Sequence, residues 1–319
     1  MDKLVVPVVE GGTVRLNASS GAKKSWKQRQ CTSLQGWNPG LLGVEVINAM
    51  RGQPKRLVPA SNGNNAIAAA LLGVFGWLVL SASAADTADP LPLKYEFPTS
   101  LAGTIYDATG TNVLFGFKRT ATRAGTNLQV LCEYSAPDGK LAARETIDYH
   151  GDRLVAFTLE ELQTGATGSV KILYPPSERV SGKIEFNYLV PRGRLENASE
   201  NLRPDTLTSD MVGTFLTDHW TELMKEREIK CRYLVVPRKQ TIGFTFRRHA
   251  ETTWRGKPAV VVRMEASSWV VGLAVDPLFF TMEKDGQHRA LQYTGRTTPK
   301  IKSKAGWKDV DAVTVFDWK

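Results

Sequence analysis

Hydrophobic and polar residues alternate with a period of two over most of the chain beyond residue 100. Val113, Phe115 and Phe117 alternate with small or polar residues, and Ile184, Phe186 and Tyr188 repeat the pattern further along. Short sequences rich in Pro, Asp and Gly, such as residues 137–140, separate these segments and favour tight turns. Because consecutive strands usually pair in space, the pattern predicts an antiparallel meander of about eleven to thirteen strands.

This number of strands also predicts the form of the sheet. Helical segments do not alternate with the strands, which argues against a parallel α/β fold. An open twisted sheet of more than about ten strands usually curls or splits. The predicted fold class is therefore mainly β (α+β), a long antiparallel meander curled into a half-barrel with one major covering helix.

A helical period interrupts the strands between residues 211 and 224. Thr208, Ser209 and Asp210 are suitable N-cap residues before it. The apolar positions that share one face predict an amphipathic helix of about 16–18 residues. They are Met211, Val212, Phe215, Leu216, Trp220, Leu223 and Met224. Two interpretations stay open: a lid that contacts a ligand through Met211, Phe215, Trp220 and Met224, or a fixed part of the core.

Composition narrows the class of protein. The chain has 319 residues, 42% of them hydrophobic and 23% charged, which excludes a disordered chain and a polytopic membrane protein. Of the net charge of +9, six units fall in residues 1–85. The remainder is nearly balanced, so the basic pI gives little support for nucleic-acid binding.

Residues 50–85 have the features of a secretory signal peptide. Arg51, Lys55 and Arg56 form a basic segment, residues 66–80 carry no charge, and small residues occupy 81–85. A basic head, a short apolar run and a small-residue exit are what the secretion machinery requires. We expect cleavage after Ala84 or Ala85, and the alternative is an uncleaved membrane anchor formed by residues 66–85.

The position of this signal suggests the domain organisation. Residues 1–49 are a doubtful N-terminal extension, because translation from Met50 would place the signal at the start of the chain. Residues 86–98 form a Pro-rich linker, and 99–319 form the β domain. We expect a periplasmic or secreted protein, or else one anchored to the membrane by a single N-terminal helix.

Removal of residues 1–85 leaves two cysteines, Cys132 and Cys231. An even number suits an oxidising compartment, where the two could form a disulfide. The other interpretation is a pair of separate buried thiols that act as small apolar residues.

The sequence contains no catalytic signature. None of the four histidines is spaced for metal binding, and the G-x-S-x-G motif of a nucleophile elbow does not occur. We therefore predict no catalytic residue, no metal ligand and no cofactor. An exported hydrolase stays as an alternative that requires five distant side chains to converge. They are His150, His288, Asp148, Asp152 and Asp285.

A basic segment follows residue 295. Arg296, Lys300 and Lys302 could contact anionic lipid headgroups or an acidic partner. The simpler interpretation is a solvated loop.

The order of elements resembles a known group of envelope proteins. A long meander with a helix midway precedes Asp276-Pro277-Leu278, a turn at Asp285-Gly286, and Tyr293-Thr294-Gly295-Arg296. In this arrangement the chain is similar to bacterial half-barrel proteins of the lipoprotein-localisation (LolA/LolB-like) superfamily and related periplasmic families, over about residues 99–300. The resemblance implies an open half-barrel with an apolar concave face that binds a lipid, a lipoprotein or another amphiphile.

Together these observations predict an exported, non-catalytic envelope protein that holds a lipid or another amphiphile or serves envelope maintenance. A membrane-anchored structural or partner-binding module is the alternative.

Overall fold

The computed structural model describes residues 91–175, 182–191, 193–268 and 275–318. The predicted extension, the signal segment and the first part of the linker lie outside the described residues. Within the described ranges, no helix has the length and apolar character needed to cross a membrane.

The described part of the chain is mainly β, as predicted, with 17 strands, two short α-helices and one 3-10 turn at Val236–Arg238. The strands are β1 (Ser100–Asp107), β2 (Val113–Ala124), β3 (Asn127–Ser135), β4 (Leu141–His150), β5 (Arg153–Glu161), β6 (Ala166–Leu173), β7 (Lys183–Val190), β8 (Arg194–Asn201), β9 (Thr206–Leu207), β10 (Ile229–Val235), β11 (Gln240–Trp254), β12 (Lys257–Ala266), β13 (Leu278–Glu283), β14 (Ala290–Arg296), β15 (Ile301–Ser303), β16 (Gly306–Lys308) and β17 (Asp311–Asp317).

Fifteen of these strands form one sheet in the order β8-β7-β6-β5-β4-β3-β2-β1-β17-β14-β13-β12-β11-β10-β9. All neighbours pair antiparallel except β9 and β10, which are parallel. The predicted antiparallel meander is therefore confirmed. Strands β15 and β16 form a separate hairpin.

The last strand lies at the centre of the sheet. β17 pairs with β1 on one side and β14 on the other, so it joins two meanders into one sheet. A meander built only from sequential neighbours would leave β17 at an edge, whereas here it lies inside the sheet. The physical reason is visible in the run 312–315, where all four residues are buried, as a strand covered on both faces requires.

Among the strands that were not predicted, β8 was missed because of its composition. β8 contains Arg194, Glu196, Asn197, Ser199 and Glu200, and its apolar positions are few. It lies at the edge of the sheet, where a strand needs one bonded neighbour and tolerates polar side chains.

The predicted helix is present as two shorter pieces, α1 (Met211–Asp218) and α2 (Trp220–Met224). His219 interrupts them, and its ring Nδ1 lies 2.9 Å from the carbonyl oxygen of Phe215. Asp210 precedes α1 but makes no side-chain capping bond. Its carboxylate is bound elsewhere, as described below.

The main hydrophobic core lies between these helices and the sheet, and includes Leu216 and Leu223, both fully buried. The end of the predicted linker belongs to this core, because Tyr95 is buried and stacks on Tyr149 with ring centroids 4.7 Å apart.

Some residues contact each other although they are far apart in the order of strands in the sheet. Lys239, which precedes β11, forms an ion pair with Glu196 of β8. The backbone N–H of Thr241 on β11 donates to Glu200 Oε1 on β8 at 2.9 Å.

Candidate functional site

A cavity of about 400 Å³ lies between α1 and the sheet. Strands β1, β2, β3, β10, β12, β13, β14 and β17 contribute to its walls, together with residues on either side of Arg289. Because these strands belong to both meanders, the cavity forms only when β17 joins them.

Much of the cavity wall is apolar. Ile105, Phe117, Met264 and Phe280 line it from four different strands. The Phe117 ring lies 5.4 Å from that of Tyr134 and 5.8 Å from that of Phe316, measured between centroids. This wall offers contact to a hydrocarbon or aromatic group.

Helix α1 lines the cavity mostly with positions outside the predicted apolar face, of which Val212 alone takes part. Val212, Gly213, Thr214 and Thr217 are the helical positions on the wall. The ligand contacts suggested by the sequence lie elsewhere. Met211 is buried in the core, and Phe215, Trp220 and Met224 pack against it. None of these four belongs to the cavity lining.

A buried ion pair closes one side of the cavity. Arg119 Nε donates to Asp210 Oδ1 at 2.6 Å, and both side chains are almost fully buried. Tyr149 donates to the other carboxylate oxygen at 2.9 Å, and Arg119 also donates to the backbone carbonyls of Tyr95 and Pro98. Burial opposes the charge on Arg119, but Asp210 outweighs it and raises the pKa of the guanidinium.

A second buried carboxyl, that of Glu145, lies behind the same wall. Thr298 Oγ1 donates to Glu145 Oε1 at 2.6 Å, and Ser209 Oγ donates to Oε2 at 2.8 Å. Glu145 is 4% exposed, and it has no basic partner within the part of the chain that the structure describes. Burial raises the pKa of this carboxyl, because removing it from water disfavours the charge.

Arg119, Cys132 and Glu145 form one row across three neighbouring strands, because they are register partners. Cys132 and Cys231 are both buried free thiols. The structure shows no disulfide between them, and they lie on β3 and β10, which are not adjacent in the sheet. Burial raises the pKa of both thiols.

Three further basic residues line the cavity, and each has an acidic partner. Lys94 Nζ lies 2.6 Å from Asp218 Oδ2. A guanidinium nitrogen of Arg289 lies 2.7 Å from Glu283, and Arg296 lies 2.8 Å from Asp311.

The residues of the predicted basic segment differ in their surroundings, because two of the three form ion pairs. Arg296 bonds to Asp309 and Asp311, and Lys300 bonds to Asp309 and Glu161. Lys302 lies on the β15–β16 hairpin and is exposed.

The side chains considered for a hydrolase lie in separate surroundings. His150 contacts Asn127 Oδ1 at 2.9 Å, and Asp148 accepts from Gln129. Asp152 accepts from the backbone of Lys94, while His288 stacks on Trp220 with centroids 4.2 Å apart. Within the described ranges, no hydrogen bond joins either histidine to Asp148, Asp152 or Asp285, and no cluster of potential metal ligands occurs.

Sequence reasoning missed Arg119 and Glu145 as members of the site. A signal was present in the period of two, because Arg119 is in phase with Phe115 and Phe117 on β2. Glu145 is likewise in phase with Ala143, Ile147 and Tyr149 on β4. A charged residue in phase with buried apolar residues indicates an internal polar site.

Comparison with protein-family models, with curated proteins and with solved structures finds no match for this chain.

Proposed function

We propose that the protein binds an amphiphile in the cavity beneath α1 and performs no chemistry on it. The observation that carries this proposal is the cavity itself, whose volume of about 400 Å³ falls within the range of about 300–1,000 Å³ typical of small-molecule sites. Apolar side chains on four strands would cover the hydrocarbon part of the ligand. Each buried methylene group would contribute about 0.8 kcal/mol to binding.

The proposal includes a sheet curled into a half-barrel. β8 is the first strand in the sheet order and β11 is the thirteenth. At about 4.8 Å between strands, a flat sheet would hold them about 55–60 Å apart. The bonds from Lys239 and Thr241 to Glu196 and Glu200 therefore favour a strongly bent sheet with α1 on its concave side.

We also propose export to the periplasm or the outside of the cell. The support is the sequence of residues 50–85, and retention as a membrane anchor through residues 66–85 is the alternative. The proposed curvature, the helix and the apolar cavity agree with the resemblance to lipoprotein-localisation carriers, so a lipid or lipoprotein acyl chain is a suitable class of ligand.

Gly213 offers a direct test of the cavity. It lies on α1 at the cavity wall, and a Cβ added there would meet no atom within 4 Å. We expect Gly213→Phe to fill the cavity and to weaken binding of the neutral apolar probe N-phenyl-1-naphthylamine at least tenfold. Probe fluorescence measures the affinity, and circular dichroism checks the fold.

Gly213→Ala is the matched control. It removes the same glycine from the helix but adds only a methyl group, so binding should stay within about twofold and stability should rise by about 0.5–1 kcal/mol. Failure of the unmodified protein to bind the probe, or equal binding by the Phe and Ala variants, would overturn the proposal.

A further inference from the structure

The cavity has one wall made of hydroxyl groups. Ser209, Thr298, Tyr134 and Tyr233 line it close to the carboxyl of Glu145. Burial raises the pKa of both tyrosines well above the ordinary value, which keeps the phenols neutral. This wall differs from the apolar surface formed by Phe117, Met264 and Phe280.

The hydrogen bonds that these hydroxyl groups already make determine which ligand groups the wall can bind. A Ser or Thr hydroxyl has a single proton and two lone pairs. Ser209 and Thr298 use their protons on Glu145, at 2.8 and 2.6 Å. The Tyr134 hydroxyl lies 3.4 Å from Thr298 Oγ1 and can use one of its lone pairs. The lone pairs that remain can only accept, so these two hydroxyls favour a ligand group that donates hydrogen bonds.

The charges around the cavity also favour a ligand that carries a positive charge. Lys94, Arg119, Arg289 and Arg296 line the cavity and are each paired with an acidic side chain. Asp210 is neutralised by Arg119, whereas Glu145 has no basic partner in the described ranges. Without a counter-charge, the buried carboxyl of Glu145 disfavours ionisation, and a cation at this wall would favour its carboxylate form.

Aromatic rings complete the surroundings of this wall. Tyr134 and Phe117 contact each other, and Tyr233 contributes a further ring to the lining. The faces of such rings attract a cation by about 0.5–2 kcal/mol when water is excluded. An ammonium group has three donors and no acceptor, so it satisfies the hydroxyls, the rings and the carboxylate together.

From this arrangement we infer that the hydroxyl wall in front of Glu145 binds the protonated amine end of an amphiphile, with the hydrocarbon chain along the apolar wall. The inference rests on the proposed function and names its class of ligand, a long-chain amine or an amine-bearing lipid. A carboxylate head would instead lie against Glu145 and be repelled.

Three ligands with the same twelve-carbon chain test this inference: dodecylamine, dodecan-1-ol and dodecanoate. Isothermal titration calorimetry at pH 7, below the critical micelle concentrations, measures their affinities for the full chain. We expect dodecylamine to bind at least tenfold more tightly than dodecan-1-ol, and dodecanoate to bind most weakly. In Glu145→Gln the preference for the amine over the alcohol should fall to about twofold or less, with alcohol binding unchanged.

Glu160→Gln is the matched control, since Glu160 is a half-buried carboxyl on β5 that pairs with Arg144 outside the cavity lining. This variant should keep the full amine preference. Equal binding of the three ligands, preference for dodecanoate, or an unchanged preference in Glu145→Gln would overturn the inference and leave the proposed function standing. Binding of none of the three would overturn the proposed function as well. Should Glu145→Gln fail to fold, the ranking by the unmodified protein decides the outcome.

Discussion

At the scale of single residues, the pair Arg119–Asp210 is the most deeply buried ionic contact of the cavity. Its two side chains are 6% and 3% exposed, and Tyr149 and two backbone carbonyls complete its hydrogen bonds. Such a pair adds little net stability compared with apolar residues, but the loss of one partner leaves a buried charge uncompensated.

We therefore expect Arg119→Met to lower the free energy of unfolding by about 3–5 kcal/mol, because Asp210 would stay buried without its cation. Urea unfolding measures the change. Arg194→Met is the control, since Arg194 is exposed and lies 4.0 Å from Glu196, and it should change stability by less than about 0.5 kcal/mol. Equal stability of the two variants would show that the pair does not hold the site.

The sequence indicated these residues only in part. Asp210 was recognised as polar and next to a helix, and the expected role was a cap. Its real partner is 91 positions away on β2, and nothing local in the sequence specifies that contact. The buried positions of Arg119 and Glu145 could be inferred from strand phase, but their grouping at one cavity requires the sheet.

At the scale of elements, the period of 3.6 predicted a helical segment with an apolar face, but not its interruption at His219. The assignment of that face to a ligand does not agree with the cavity lining, because Leu216 and Leu223 are buried in the core. The lining comes from Gly213, Thr214 and Thr217 beside that face, together with Val212 at its border. An apolar stripe indicates that a helix packs, but not whether it packs on protein or on a ligand.

The β15–β16 hairpin carries the exposed lysines through which the predicted contact with anionic lipid can be tested. Lys302, Lys304 and Lys308 are exposed and unpaired within the described ranges, and Trp307 is 42% exposed beside them. Lysine attracts anionic headgroups by about 1 kcal/mol per residue, and tryptophan favours the membrane interface.

We expect Lys302→Glu with Lys304→Glu to weaken sedimentation with vesicles of equal parts phosphatidylglycerol and phosphatidylcholine at least tenfold. The control is Lys118→Glu with Lys171→Glu, which makes the same change in net charge at exposed positions on β2 and β6. An equal loss of vesicle binding in both double variants would show that only net charge matters. No loss of vesicle binding in either variant would favour a solvated hairpin.

At the scale of the whole molecule, the fold depends on β17. Short-range pattern predicted the two meanders almost completely, because each strand pairs with the next one along the chain. The pairing of β1 with β17 joins Ala102 to Asp317, a contact that no local signal specifies. The position of the cavity follows from this pairing, so it could not be predicted either.

We expect Val315→Asp to abolish folding, since Val315 is 4% exposed within the central strand and a buried unpaired charge is among the most destabilising changes. Leu195→Asp on the edge strand β8, where the side chain is 59% exposed, is the control and should leave the fold intact. Circular dichroism and thermal unfolding compare the two. A folded Val315→Asp variant would contradict a central role for β17.

The place of β17 also has a consequence for biosynthesis. Residues 311–317 leave the ribosome after all the remaining strands of the sheet. Until then, β1 and β14 each have an edge of unpaired backbone N–H and C=O groups. The nascent chain therefore passes through a stage with two exposed strand edges. During this stage, association with other chains competes with the pairing of β17. Chaperone dependence should be greatest in that interval and end once the closing strand has docked.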